Sequence, residues 1–163
     1  MKDLILKTDT GNISYFIVRV TLGVVIMAHG LQKSLGAFGG FGFDASMNYF
    51  TETVGMPWIL GFLVIIAESA GMALLIAGVF SRLVAGSLIV IMFGAAAMNA
   101  GNGFFMNWFG KQPGEGIEFF ILAIAMALVI AIKGAGKWSV DGWLSQSGSS
   151  NQPAFNRTLE TNS

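Results

Sequence analysis

Four long apolar stretches leave this chain little choice of fold. Crossing a hydrocarbon core of roughly 30 Å takes about 20 apolar residues in a helix that rises 1.5 Å per residue. Runs of that order extend from about Ser14 to Leu31, from Trp58 to Phe80, from Leu83 to Ala100 and from about Glu115 to Ile132. They are too long and continuous for barrel strands. Within lipid each segment must satisfy its own backbone hydrogen bonds, so the sequence predicts helices. The expected fold class is all-α, an integral membrane four-helix bundle.

Composition agrees with the runs. Of 163 residues, 54% are hydrophobic and only 11% charged, whereas a soluble domain carries roughly a quarter charged residues. The 9 basic and 9 acidic residues cancel, so no basic surplus is present to follow a nucleic-acid backbone, and no nucleic-acid partner is expected. The absence of Cys removes disulfide, thiolate and iron–sulfur chemistry.

Boundary residues fit the same spans. Asn12 or Ser14 can cap the first helix, Pro57 stands where the second would begin, and Gly134 and Gly136 can end the last. Trp58, Trp108, Trp138 and Trp143 fall at or just beyond span ends, where amphipathic rings sit at headgroup depth. The fourth span must take Glu115 and Glu118 into its first turn, where negative charge suits the helix dipole. A secretion signal does not explain the first run, because Arg19 interrupts it and no small-x-small cleavage site follows.

Four crossings leave both termini on one side. That side holds Lys2, Lys7, Arg82, Lys133, Lys137 and Arg157, and the opposite loops hold Lys33 and Lys111. The basic excess predicts that both termini are cytoplasmic and that the loops Gln32 to Pro57 and Gly101 to Gly114 face outward. The chain then divides into a cytoplasmic segment 1–13, a membrane domain 14–144 and a disordered cytoplasmic tail 145–163, rich in Ser, Asn, Gln and Thr. Lys2 to Lys7 can form a short interfacial helix, Gly36 to Gly42 reads as a flexible outer loop, and Asn156-Arg157-Thr158 matches a glycosylation sequon on the wrong side of the membrane.

Ionisable groups inside spans need a reason, because a charge at mid-depth costs at least ~2.5 kcal/mol on insertion scales. Glu68 lies near the middle of the second run and Arg19 inside the first. Their inferred depths predict a buried Arg19 and Glu68 ion pair, serving as a clamp between two helices. His29 and Lys33, four residues apart, share a face near the outer end of the first helix. With Glu118 they would form an outer polar pocket, roofed by the loop Asn102-Gly103-Phe104-Phe105 and the nearby Trp108 and Phe109. A single His excludes bis-histidine haem ligation within one chain, and a lone His with scattered carboxylates gives no specific metal signature.

The segments Val18-Arg19, His29-Gly30-Leu31-Gln32-Lys33, Ala67-Glu68-Ser69-Ala70-Gly71, Arg82, Asn102-Gly103-Phe104-Phe105, Glu118-Phe119 and Gly136-Lys137-Trp138-Ser139-Val140-Asp141 together resemble the DoxX family of small four-helix membrane proteins, over about Ser14 to Leu144. The resemblance implies a multi-pass protein of the prokaryotic cytoplasmic (inner) membrane. Some members or relatives accompany oxidoreductase complexes, including the membrane subunit of thiosulfate:quinone oxidoreductase. The family often has His-x-Pro before the Asn-Gly-Phe-Phe segment; here Asn99-Ala100-Gly101 stands instead, which puts a two-histidine scheme in doubt.

The leading expectation is a subunit of quinone-linked electron transfer without its own redox centre, with a quinone headgroup held by His29, Lys33, Asn102 and Glu118. Partner respiratory subunits or a homo-oligomer would supply what it lacks. The alternatives are a non-catalytic scaffold of a larger membrane complex and a small proton- or cation-coupled transporter using Glu68.

Overall fold

In the computed structural model, which describes residues 8–149, the chain is helical and, among the described residues, free of strands. Helix α1 spans Ile13–Leu35. A single 3₁₀ turn, Ala37–Gly39, leads to the short helix α2, Gly42–Asn48, which widens into a π turn at Tyr49–Thr53. Helix α3, Trp58–Ala77, contains a second π turn at Ala67–Gly71. Helix α4 covers Ser81–Asn99, helix α5 Glu118–Lys133 and helix α6 Val140–Ser149.

Each start and stop has a local cause. Asn12 caps α1 by accepting the Ser14 N–H at 2.8 Å, satisfying a donor the first turn leaves open. Gly36, with φ of +70°, ends the helix by donating its N–H to the Leu31 carbonyl, and Gly134 ends α5 by donating to Ile130 at 2.8 Å. The N-terminus of α4 is capped from a distance: the Asp141 carboxylate accepts the Phe80 and Ser81 N–H groups, each at 2.8 Å. Asp141→Ala is expected to lower stability by about 2 kcal/mol, because two helix-end donors lose a buried acceptor. Asp141→Asn, with one acceptor left, should lose about half as much in a thermal unfolding series in detergent.

The core is one apolar cluster shared by α1, α3, α4 and α5. It contains Leu22 and Ile26, Met72 and Leu75, Leu88 and Met92, and Ala123, Ala127 and Ile130. The opposite faces are greasy too: Leu83, Val90, Phe93 and Leu122 are all more than 60% exposed. A surface of that kind is unsuited to water and suited to acyl chains. Helices α1, α3 and α4, the last extended through its 3₁₀ end to Asn102, are long and apolar enough to cross a membrane.

Several expectations need correction. Helix α1 runs four residues past Leu31 and carries Lys33 within it. The fourth apolar helix begins at Glu118 and not at Glu115. Its 16 residues extend about 24 Å, because the chain before it is tied to the preceding loop: Ile117 and Glu118 donate their N–H groups to the Gly103 and Phe104 carbonyls at 3.2 and 3.0 Å. The stretch Gly36 to Gly42 is no free loop. It folds back on α1 so tightly that a Cβ on Gly40 would lie 2.4 Å from the Gln32 carbonyl oxygen. Helix α6 continues through Ser149, five residues into the segment expected to lack structure. The proposed helix at Lys2 to Lys7, the sequon at Asn156 and the tail beyond Ser149 lie outside the described residues.

Candidate functional site

One end of the molecule is a polar latch. Arg19 is fully buried and its Nη2 donates to the Trp138 carbonyl at 3.0 Å and the Lys137 carbonyl at 3.5 Å. The guanidinium lies 5.5 Å from the Phe16 ring centroid, Phe16 meets Trp138 edge-on, and Asp141 supplies the opposing charge. Gly136 donates to Thr8 Oγ1 at 2.7 Å and Asp9 to the Lys133 carbonyl at 3.3 Å. Residues 8–10, the turn at 78–82 and residues 133–141 thus meet at the same end. Arg19 binds the last segment to the first helix.

The expected Arg19 and Glu68 pair does not form. Glu68 instead pairs with Lys33, Nζ to Oε2. The register between antiparallel helices explains the exchange. Gly30 of α1 lies directly on the Glu68 backbone, where a Cβ would come within 2.2 Å of the Glu68 carbonyl oxygen. Lys33 is one turn beyond Gly30 and reaches across, while Arg19 is eleven residues back, about 16 Å along the axis. Arg19 is level with Gly78, at the far end of α3.

Glu68 sits in the π turn of α3 and is 4% exposed. Such wide turns interrupt the regular ladder and recur at functional positions. The same turn brings Ser69 Oγ to the Ile65 carbonyl at 2.5 Å. Ten residues separate Glu68 from Trp58 at the start of α3, so the carboxylate is about 15 Å inside the helix end.

Beside this ion pair is a cavity of about 680 Å³ between α3 and α4, within the usual 300–1,000 Å³ of small-molecule sites. Leu63 and Ala67 of α3 face Val90 and Gly94 of α4 across it, and Lys33, Glu68 and Asn99 are among its polar lining. Leu63 and Val90 are more than half exposed, so the cavity opens sideways, toward the lipid. Tyr49 and Phe50 wall it at the end where α3 begins and separate it from a second cavity of about 410 Å³ that also touches Lys33. An apolar cleft with a few convergent polar groups is the usual form of a ligand site.

The residues expected to form an outer pocket divide. Lys33 lines the cavity; His29 and Glu118 do not. The exposed His29 ring packs on Phe119 at 5.6 Å between centroids, and Glu118 is half-buried at the start of α5. Asn102 ties the loop between α4 and α5 together: its Nδ2 donates to the Glu115 carbonyl at 3.2 Å and to Asn99 Oδ1 at 3.3 Å. Phe104 and Phe105 pair with each other and stay exposed, so the roof is Tyr49 and Phe50. Tyr49 and Phe50 carry no site signal in the sequence beyond the helical spacing of Phe43, Met47 and Phe50, and Asn99 stands out there only as a departure from the family's His-x-Pro. Among the described residues no group of three or more His, Asp or Glu could hold a metal ion.

A family model described as DoxX matches residues 14–108, a stretch that includes the ion pair and every residue lining the larger cavity. No curated protein and no solved structure matches the chain.

Proposed function

Because the chain belongs to the DoxX family of membrane proteins, we propose that it is the membrane subunit of a quinone-linked electron-transfer system, with a quinone bound in the lateral cavity between α3 and α4. The observation that carries this reading is the Lys33 and Glu68 pair beside a cleft open to lipid. A quinone partitions into the bilayer and enters from there. Its carbonyl oxygen is an acceptor for the Lys33 ammonium, and a quinol hydroxyl is a donor for the Glu68 carboxylate. Reduction needs protons as well as electrons, and a positioned carboxylate can exchange the former. The electrons come from a partner subunit or a soluble donor.

In this reading α5 is the fourth crossing, shortened at its outer end, and the latch end with Arg82, Lys133 and Lys137 faces the cytoplasm of a prokaryote.

Gly94 offers a clean test. A Cβ there meets no heavy atom within 4 Å, so a larger side chain fills the cavity without pressing on the fold. In full-length protein in nanodiscs, a photoreactive azidoquinone should label peptides of α3 and α4, and Gly94→Leu should reduce that labelling at least about tenfold with an unchanged melting temperature. Labelling that Gly94→Leu leaves intact would remove quinone from this cavity. Undiminished turnover of the native complex carrying Gly94→Leu would make the protein an accessory scaffold.

A further inference from the structure

The ion pair also limits which molecules the cavity can accept. The Glu68 side chain is 5% exposed and the Lys33 side chain 31%, so the ammonium is the more accessible partner. Of its three donors, one goes to Glu68 and two have no acceptor among the described residues. Paired, the two charges cancel. A ligand bringing its own charge would leave a net charge about 15 Å inside α3, where insertion scales imply a penalty on the order of 100-fold in occupancy. A neutral acceptor avoids that penalty. The smaller cavity, walled by Phe41, Tyr49 and Phe50, meets the larger at Lys33, so apolar space adjoins the ammonium on two sides.

We infer that the site selects an uncharged, lipid-soluble molecule whose carbonyl oxygen accepts a hydrogen bond from Lys33, and that Glu68 is the specificity-determining residue that turns away carboxylates and phosphates. A lipid with a charged headgroup would have to bury that headgroup, whereas a carbonyl set between apolar parts would not. The inference rests on reading this cavity as a ligand site and is independent of electron transfer.

The test is equilibrium binding of radiolabelled probes to the full chain in phosphatidylcholine nanodiscs at mildly alkaline pH. Decylubiquinone and 2-heptadecanone are the neutral carbonyl probes, and palmitate is the charged one. The wild type should bind a neutral probe on the order of 100-fold tighter than palmitate. Glu68→Gln should reverse that order, because the unpaired Lys33 then attracts a carboxylate. Palmitate bound by the wild type as tightly as the neutral probes would overturn the inference while leaving quinone binding intact. Binding of the ketone without the quinone would uphold the selectivity and refute the quinone reading. Binding of none of the three would overturn both. If Glu68→Gln does not fold, the wild-type preference decides alone.

Discussion

Lys33→Met and Glu68→Leu should each destabilise the protein by about 3–5 kcal/mol, and the double substitution should recover most of that loss. Removing one member of a buried pair leaves the other charge stranded in a medium that solvates it poorly, and removing both leaves an apolar contact of similar volume. Lys33, at 31% side-chain exposure, can turn its ammonium toward the cavity when Glu68 is lost. The Glu68 carboxylate, at 5%, has no such escape, so Lys33→Met should be the more damaging single change. The same cycle distinguishes this pair from the one the sequence suggested. Arg19→Leu combined with Glu68→Leu should be additive within about 0.5 kcal/mol, because residues some three turns apart share no partner. A coupling energy between Arg19 and Glu68 as large as that between Lys33 and Glu68, read from thermal melts in one detergent, would contradict the register of α1 on α3.

Gly30→Ala should damage the fold as severely, although it adds a single methyl group. Its Cβ would lie 2.2 Å from the Glu68 carbonyl oxygen, 2.3 Å from the carbonyl carbon and 2.6 Å from the Ser69 nitrogen. All three are backbone atoms, so no side chain can swing away to make room. Helices α1 and α3 must part, which separates Lys33 from Glu68. The expected loss is about 3 kcal/mol or more, at the upper end of overpacking costs. Small residues at helix contacts permit this close approach in membranes. Gly94→Ala, facing open space, is the control and should change stability by less than about 0.5 kcal/mol. A Gly30→Ala protein that melts with the wild type would mean that the two backbones are not in contact.

Much of the architecture was legible in the sequence because hydropathy and helix-end chemistry act locally. The apolar runs located α1, α3 and α4 to within a few residues, Asn12 caps α1 as its side chain suggests, and all four tryptophans are exposed. What was not legible is register. The ends of two apolar runs set only the approximate depth of Arg19 and Glu68, whereas the offset between antiparallel helices depends on the folded connection from Gly36 to Pro57. That connection contains α2 and two non-α turns, none of which hydropathy reveals. A shift of a few turns moved the partner of Glu68 from Arg19 to Lys33.

The outer pocket divided for a related reason. His29 and Lys33 are about 40° apart around α1, and α1 sits between α3 and α5. That angle is enough to send Lys33 toward Glu68 and His29 toward Phe119. The start of α5 is ambiguous in the sequence because Glu115 and Glu118 both suit a first turn. The bonds from Ile117 and Glu118 to the Gly103 and Phe104 carbonyls are long-range and have no signature in a local window. Asp141 capping α4 across sixty residues is hidden in the same way.

A neutral, lipid-soluble ligand should sit beside the Lys33 and Glu68 pair. Native mass spectrometry of the full chain taken gently from its own membrane measures this directly. A quinone mass at one per chain, retained by the wild type and lost from Lys33→Met while ordinary phospholipids stay bound, is the predicted result. Phospholipid alone in the wild type, or a quinone that Lys33→Met and Gly94→Leu both retain, would contradict it.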